Sequence, residues 1–257
     1  MLGKLMKYDC RSMFRSFAPL WLALLALSVV NHFTVDLPNG GIGAALAMLA
    51  YVGVVIAVIV VTIVLVVLRF YHGLLRDEGY LMFTLPVRPW QLVMAKLLTA
   101  LVVTVLSIAV SVLSLFIIVG DLHGLQNFIK AVFRAIPQIS GTLYLQMFLL
   151  VVLVIAAILA SITHIYASLA IGHLFHTHRI GWAVGAYIVT DILFTFLLTL
   201  TMDAGDETFL PALLPPHLSP AASANAILGL MIAWCVVMTA LCYVATERIL
   251  ARRLNLQ

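Results

Sequence analysis

The sequence predicts an all-α integral membrane protein: six transmembrane helices, an N-terminal amphipathic elbow helix and both termini in the cytosol. Composition is the first ground. The chain is 64% apolar and 9% charged over 257 residues, whereas a soluble domain carries about 25% charge. Its solvent is therefore the bilayer. Pattern is the second ground. Six unbroken apolar stretches, roughly 17–34, 43–70, 91–119, 143–171, 181–202 and 223–246, reach the ~20 residues a helix needs to cross the hydrocarbon. Barrel strands would show ~10-residue alternating segments instead. Charge placement is the third. With the N-terminus inside, the inner segments hold Lys4, Lys7, Arg11, Arg15, Arg69, Arg76, Arg88, Lys96, Arg179, Arg248, Arg252 and Arg253. The outer segments hold only Lys130 and Arg134, the asymmetry that orients membrane proteins. The net charge of +4 follows from that bias. Its basic residues are scattered over separate segments, with no fold to gather them onto a nucleic acid.

The elements follow in order, within one membrane domain spanning 1–257 and showing no internal repeat. In residues 1–16, Leu2, Leu5, Met6, Met13, Phe14 and Phe17 fall on one helical face and Lys4, Lys7, Arg11 and Arg15 on the other. Such a helix suits the inner leaflet, where anionic lipid contributes about 1 kcal/mol per basic residue. A plain positive-inside flank is the other reading. The segment leads into the first span near Pro19. No small-x-small cleavage site follows that span, where Val29, Val30, Asn31 and His32 stand, so it is expected to be retained. The second and fourth stretches exceed the bilayer and are expected to tilt or project beyond it.

Between the second and third spans lies a polar island, Arg69–Lys96. The second helix is expected to run on to about Glu78, and Gly79 then permits a sharp change of direction. Residues 80–85 form a short apolar-aromatic knob with no membrane to bury it, before Pro86 and Pro89 restart the chain. The knob suits docking into a groove on a cytosolic partner, or packing at the inner leaflet. In the second outer loop, Leu125, Phe128, Ile129, Val132, Phe133 and Ile136 predict an interfacial helix ended by Pro137. The third outer loop, 203–220, is acidic and proline-rich and reads as solvated. Cys10, Cys235 and Cys242 sit in no predicted outer loop and imply no disulfide framework.

Inside the membrane one acid stands out. Asp191, near the middle of the fifth span, costs roughly 2.5–3.5 kcal/mol on the insertion scale. Its apolar neighbours offset this with little margin, so a partner or a water-filled cavity is expected. Tyr187, Asp191, Thr195 and Thr199 recur at four residues and make one polar stripe. His164 in the fourth span falls at similar depth, counted from the short connecting loop. It either pairs with Asp191 or finds its own Ser, Thr or water partner. Ser161, His164, Ser168 and Gly172 form a matching small and polar stripe. Ser107, Ser111 and Ser114 in the third span mark close helix packing first and pore lining second. His173, His176 and His178, with His72, make a cluster at the inner surface. It reads as a near-neutral charge patch, and no metal site is expected there.

No G-x-x-x-x-G-K-[ST] run occurs, so this chain binds no ATP in a P-loop. The run E-G-Y-L-x-F-T-L-P-V at Glu78–Val87, followed by P-W-Q-L-V-x-A-K-L at Pro89–Leu97, resembles the first inner loop of ATP-binding cassette exporter permeases of the second export type. The opening Met1–Tyr8 is similar to that family's N-terminal elbow, and Gly172–Phe175 to its second inner loop. The His-rich turn departs from the lysine-rich turn of the family. The resemblance implies a permease subunit that forms the transmembrane pathway as a homodimer, or as a heterodimer with a second permease. It implies a separate cytosolic ATPase that carries ATP and Mg, with no cofactor on this chain. The 71–90 loop would couple to that ATPase, with Asp77, Glu78, Tyr80, Leu81, Phe83, Thr84 and Leu85 at the contact. The alternatives are a membrane-embedded enzyme using His164, Asp191 and the 173–178 cluster, or a receptor or scaffold without transport. The expected location is a bacterial-type cell membrane. The substrate is not legible, although few charges within the spans favour an amphipathic or hydrophobic one.

Overall fold

The computed structural model describes residues 2–35, 41–75, 89–119, 127, 130, 141–175, 178–202 and 220–252. Among the described residues every regular element is helical. They are α1 (Leu2–Val35), α2 (Gly41–Phe70), α3 (Pro89–Val119), α4 (Gly141–Gly172), α5 (Arg179–Met202) and α6 (Pro220–Arg252). Beyond α2 the chain makes one π-helical stretch, Tyr71–Leu75. Each helix holds a segment long and apolar enough to cross a membrane: Met6–Thr34, Ala45–Gly73, Trp90–Ile118, Gly141–Gly172, Arg179–Thr199 and Ala221–Ala251. The chain is built as a multi-pass membrane protein. The interfacial helix expected at 125–136, apart from residues 127 and 130, and the acidic loop 203–219 lie outside the described residues.

The first helix differs from expectation. Residues 2–16 are the opening turns of one 34-residue rod that passes through Pro19 without a break. Proline removes one backbone donor and crowds the carbonyl four residues back, but Pro19 sits on an exposed face. On the other side Met13, Phe17, Trp21, Leu24, Ser28 and Asn31 are all buried. They recur at three and four residues, which is one continuous stripe along a helix. Met13 and Phe17, assigned from the pattern to a lipid-facing side, are packed inside the protein instead. Side-chain packing on both sides of Pro19 keeps the helix continuous across it.

The chain divides into two compact units, Met1–Arg69 with Met94–Gln138 and Phe70–Val93 with Ile139–Gln257. In the first unit, Met13, Phe17 and Trp21 of α1 pack with Val103 of α3. Leu24 of α1 joins Tyr51 and Val58 of α2. Hydrogen bonds between helices fix the register. The Trp21 indole donates to Ser107 Oγ at 3.2 Å, and the Tyr51 and Ser114 hydroxyls share a bond at 2.8 Å. Asn31 Nδ2 donates across to the Ala47 carbonyl at 3.0 Å. Ser107 and Ser114 are thus helix-packing residues, as small residues in spans commonly are.

In the second unit α4 is the central helix, packed on α6 and on α5. Its second half supplies the buried set Ile162, Thr163, His164, Tyr166, Ala167, Ser168, Ala170 and Gly172. The Tyr166 ring stacks on Phe70 with centroids 4.0 Å apart. From α6 come Met238, Cys242, Thr246 and Leu250, one residue every four. The Tyr243 hydroxyl donates to the Trp90 carbonyl at 2.9 Å. At the α4–α5 end, a Cβ on Gly172 would lie 2.5 Å from the Ala183 Cβ. Only a glycine lets the two backbones approach this closely. Gly172→Ala is expected to cost about 1–3 kcal/mol by overpacking, read as a lower midpoint in thermal unfolding in detergent. Ala183→Gly in the same chain should recover little of that loss, because the backbone N and Cα of residue 183 would still lie 2.6 and 2.7 Å from the new Cβ.

Candidate functional site

The polar constellation of the second unit lies where α4 and α5 run antiparallel. His164 Nε2 is 2.6 Å from Thr190 Oγ1. The threonine hydroxyl donates back to the Ala186 carbonyl at 2.7 Å, and that use of its proton makes the imidazole N–H the donor across the helix pair. The His164 ring stacks on Tyr187 with centroids 4.6 Å apart and meets the edge of Phe194 at 5.4 Å. The imidazole is therefore held on three sides by α5.

Asp191 makes no hydrogen bond or ion pair with His164 and reaches the ring only through its charge. Depth was read correctly from the loop, since α5 meets His164 one residue away. Each residue turns a helix by about 100°, however, and that step points Thr190 at α4 while Asp191 is exposed. Among the described residues the ion pairs both involve Asp9, and none involves Asp191. Thr195 and Thr199 continue along the same exposed side, Thr199 Oγ1 donating to the Thr195 carbonyl at 2.7 Å. Tyr187 belongs to the packed face by its stacking on His164, so the stripe divides. Tyr187 is engaged with α4, whereas Asp191, Thr195 and Thr199 look outward from the least buried of the six spans.

At the Gly172 end of α4 the chain turns through His173, Leu174 and Phe175. His173 lies beside the Tyr71 ring at 5.2 Å, and Phe175 stacks on Trp182 at 4.3 Å. His173 Nε2 is buried with no hydrogen-bond partner. Burial, and then the Arg179 guanidinium, hold its pKa below the ordinary 6.5. His178 adopts a left-handed backbone, φ 52°, and its carbonyl accepts the Trp182 N–H at 3.1 Å, closing the first turn of α5. Among the described residues no three His, Cys, Asp or Glu side chains form a group able to hold a metal ion. His176 lies outside the described residues.

Of the basic residues expected at the membrane surface, Lys7, Arg11 and Arg15 are exposed on α1. The residue that sequence reasoning missed is Asp9. Its carboxylate takes Lys96 Nζ at 2.8 Å and Arg69 Nη1 at 3.5 Å. A signal was present: Asp9 is the only acid in residues 1–35 and stands four residues before Met13. The seven expected ATPase-contact residues, Asp77, Glu78, Tyr80, Leu81, Phe83, Thr84 and Leu85, lie outside the described residues.

No family model, curated protein or solved structure matches the chain.

Two outcomes test this geometry. In a double-mutant cycle, His164→Ala and Thr190→Val should show a coupling of about 0.6 kcal/mol, a usual size for a bond between spans. His164→Ala and Asp191→Asn should couple more weakly, through the charge of Asp191 alone. For His173 the lowered pKa means that the unfolded chain binds a proton first as pH falls below about 6.5. Its contribution to stability is complete above that pH and is lost on acidification towards the folded-state value. His173→Gln should flatten the dependence of the thermal midpoint on pH below about 6.5.

Proposed function

We propose that the chain is the permease subunit of an ATP-driven exporter of the second export type, working with a separate cytosolic ATPase that binds ATP and Mg. The observation that carries this reading is the run Glu78–Val87, which falls between α2 and α3 in the sequence, and Pro89–Leu97, which opens α3. Six membrane-length helices give it the setting a permease needs. Part of the run is built into the fold. Leu92, Val93, Ala95 and Lys96 are buried in the first turns of α3, as expected of a segment that anchors a loop rather than decorating a surface.

A second permease, identical or not, is part of the proposal. The outward side of α5 carries Asp191, Thr195 and Thr199. Facing lipid, the acid alone would cost roughly 2.5–3.5 kcal/mol. Cover by a second subunit, or a watered pathway between two subunits, removes that cost. On this reading both termini and the 71–90 loop are cytosolic, the first turns of α1 are the elbow, and the membrane is the bacterial-type cell membrane. The cargo is amphipathic or hydrophobic.

Affinity purification of the full chain from its native membrane tests the proposal. A soluble nucleotide-hydrolysing protein should co-purify, and the permease should stimulate its activity. Glu78→Lys and Leu81→Asp should each lower its recovery by about tenfold, equivalent to about 1.4 kcal/mol. Full recovery in both variants would remove the coupling assignment.

A further inference from the structure

Two cations in the first unit share one anion. The Lys96 side chain is only 8% exposed, and Asp9, at 14%, meets it through both carboxylate oxygens, at 2.9 Å and 2.8 Å. Arg69, 29% exposed, reaches the same carboxylate at 3.5 Å and also donates to Ser12 Oγ, one turn further along α1. Lys96 is bordered on its own helix by the buried Leu92, Val93, Ala95, Leu97 and Ala100. An ammonium in such surroundings is costly unless paired. Asp9 is the only acid among the described residues of this unit. The two cations occupy special places along the chain. It leaves the unit after Arg69 and re-enters at Met94, two residues before Lys96.

We propose that Asp9 is a positioning residue: one carboxylate on α1 that sets where α2 ends and where α3 begins. Asp9 holds both points, and Ser12 adds a second grip on Arg69. Any displacement of either helix end relative to α1 breaks an ion pair. This inference rests on the permease reading in one respect. Those two helix ends frame the segment assigned to the ATPase contact, so the N-terminal helix governs how that segment is presented.

Cys10 is a native reporter, being partly exposed and adjacent to Asp9. In the full chain in nanodiscs, maleimide labelling of Cys10 is followed by mass spectrometry alongside thermal unfolding. Asp9→Asn takes the negative charge away from the buried Lys96 and is expected to lower the midpoint and to raise Cys10 labelling about tenfold or more. Asp9→Asn with Lys96→Met removes the buried pair, a replacement often neutral for folding, and leaves the more exposed Arg69 on Ser12. In that double variant the midpoint should return to near wild type, while Cys10 labelling stays raised and stimulation of the co-purified ATPase stays low. A double variant that regains wild-type Cys10 protection would overturn the proposal and leave Asp9 as a stabilising pair only. The labelling comparison needs no ATPase. If none co-purifies with the wild-type chain, the permease reading falls, and Cys10 alone still decides the role of Asp9.

Discussion

A lysine ammonium set among apolar side chains near the start of α3 has to be neutralised, and Asp9 meets it with both carboxylate oxygens. That requirement shapes the first unit. The carboxylate must come from α1, so α1 has to stay beside α3 from its first turns. The buried stripe from Met13 to Asn31 continues the same contact through Trp21 and Ser107. Pro19 is tolerated because it falls on the opposite, exposed side of a helix fixed on both sides of it. A segment with the composition of a lipid-surface helix is thereby drawn into the protein.

Most polar side chains in the spans serve the helix they sit on. Ser28, Thr62, Thr99, Thr239 and Thr246 each donate to a carbonyl three or four residues back. Such bonds satisfy a hydroxyl in hydrocarbon without any neighbour. A smaller set crosses between helices: Trp21 with Ser107, Asn31 with Ala47, Tyr51 with Ser114, and His164 with Thr190. These set register. Asp191 belongs to neither set, since it has an ionisable group, an exposed position and no ion pair among the described residues. That difference separates a candidate pathway residue from the polar residues that only pack.

The sequence was most legible where hydrophobic length speaks alone. All six spans stand where the apolar runs placed them, because a run of that length admits one secondary structure in a bilayer. Depth was legible too, as His164 and α5 meet within one residue of the expected level. Azimuth was not: Asp191 and Thr190 are neighbours in sequence but differ by about 100° around the helix, and both stand in apolar surroundings. Asp9 was lost for another reason. One acid among Lys4, Lys7, Arg11 and Arg15 reads as part of a solvated charge mixture. Only the burial of Lys96, 87 residues away, shows that it faces inward.

The unbroken α1 carries a further consequence. From Asp9 to Thr34 the rod measures about 38 Å at 1.5 Å per residue, against a hydrocarbon layer of about 30 Å. Its far end is tied to α2 through Asn31, so the Asp9–Lys96–Arg69 cluster stands at a set height from that tie. In a thin bilayer the cluster rides out among headgroups and water, where ion pairs are screened. In a thick one it sinks towards the acyl chains, where they tighten. Membrane thickness thus becomes a physical setting on the strength with which this protein holds its first three helices together.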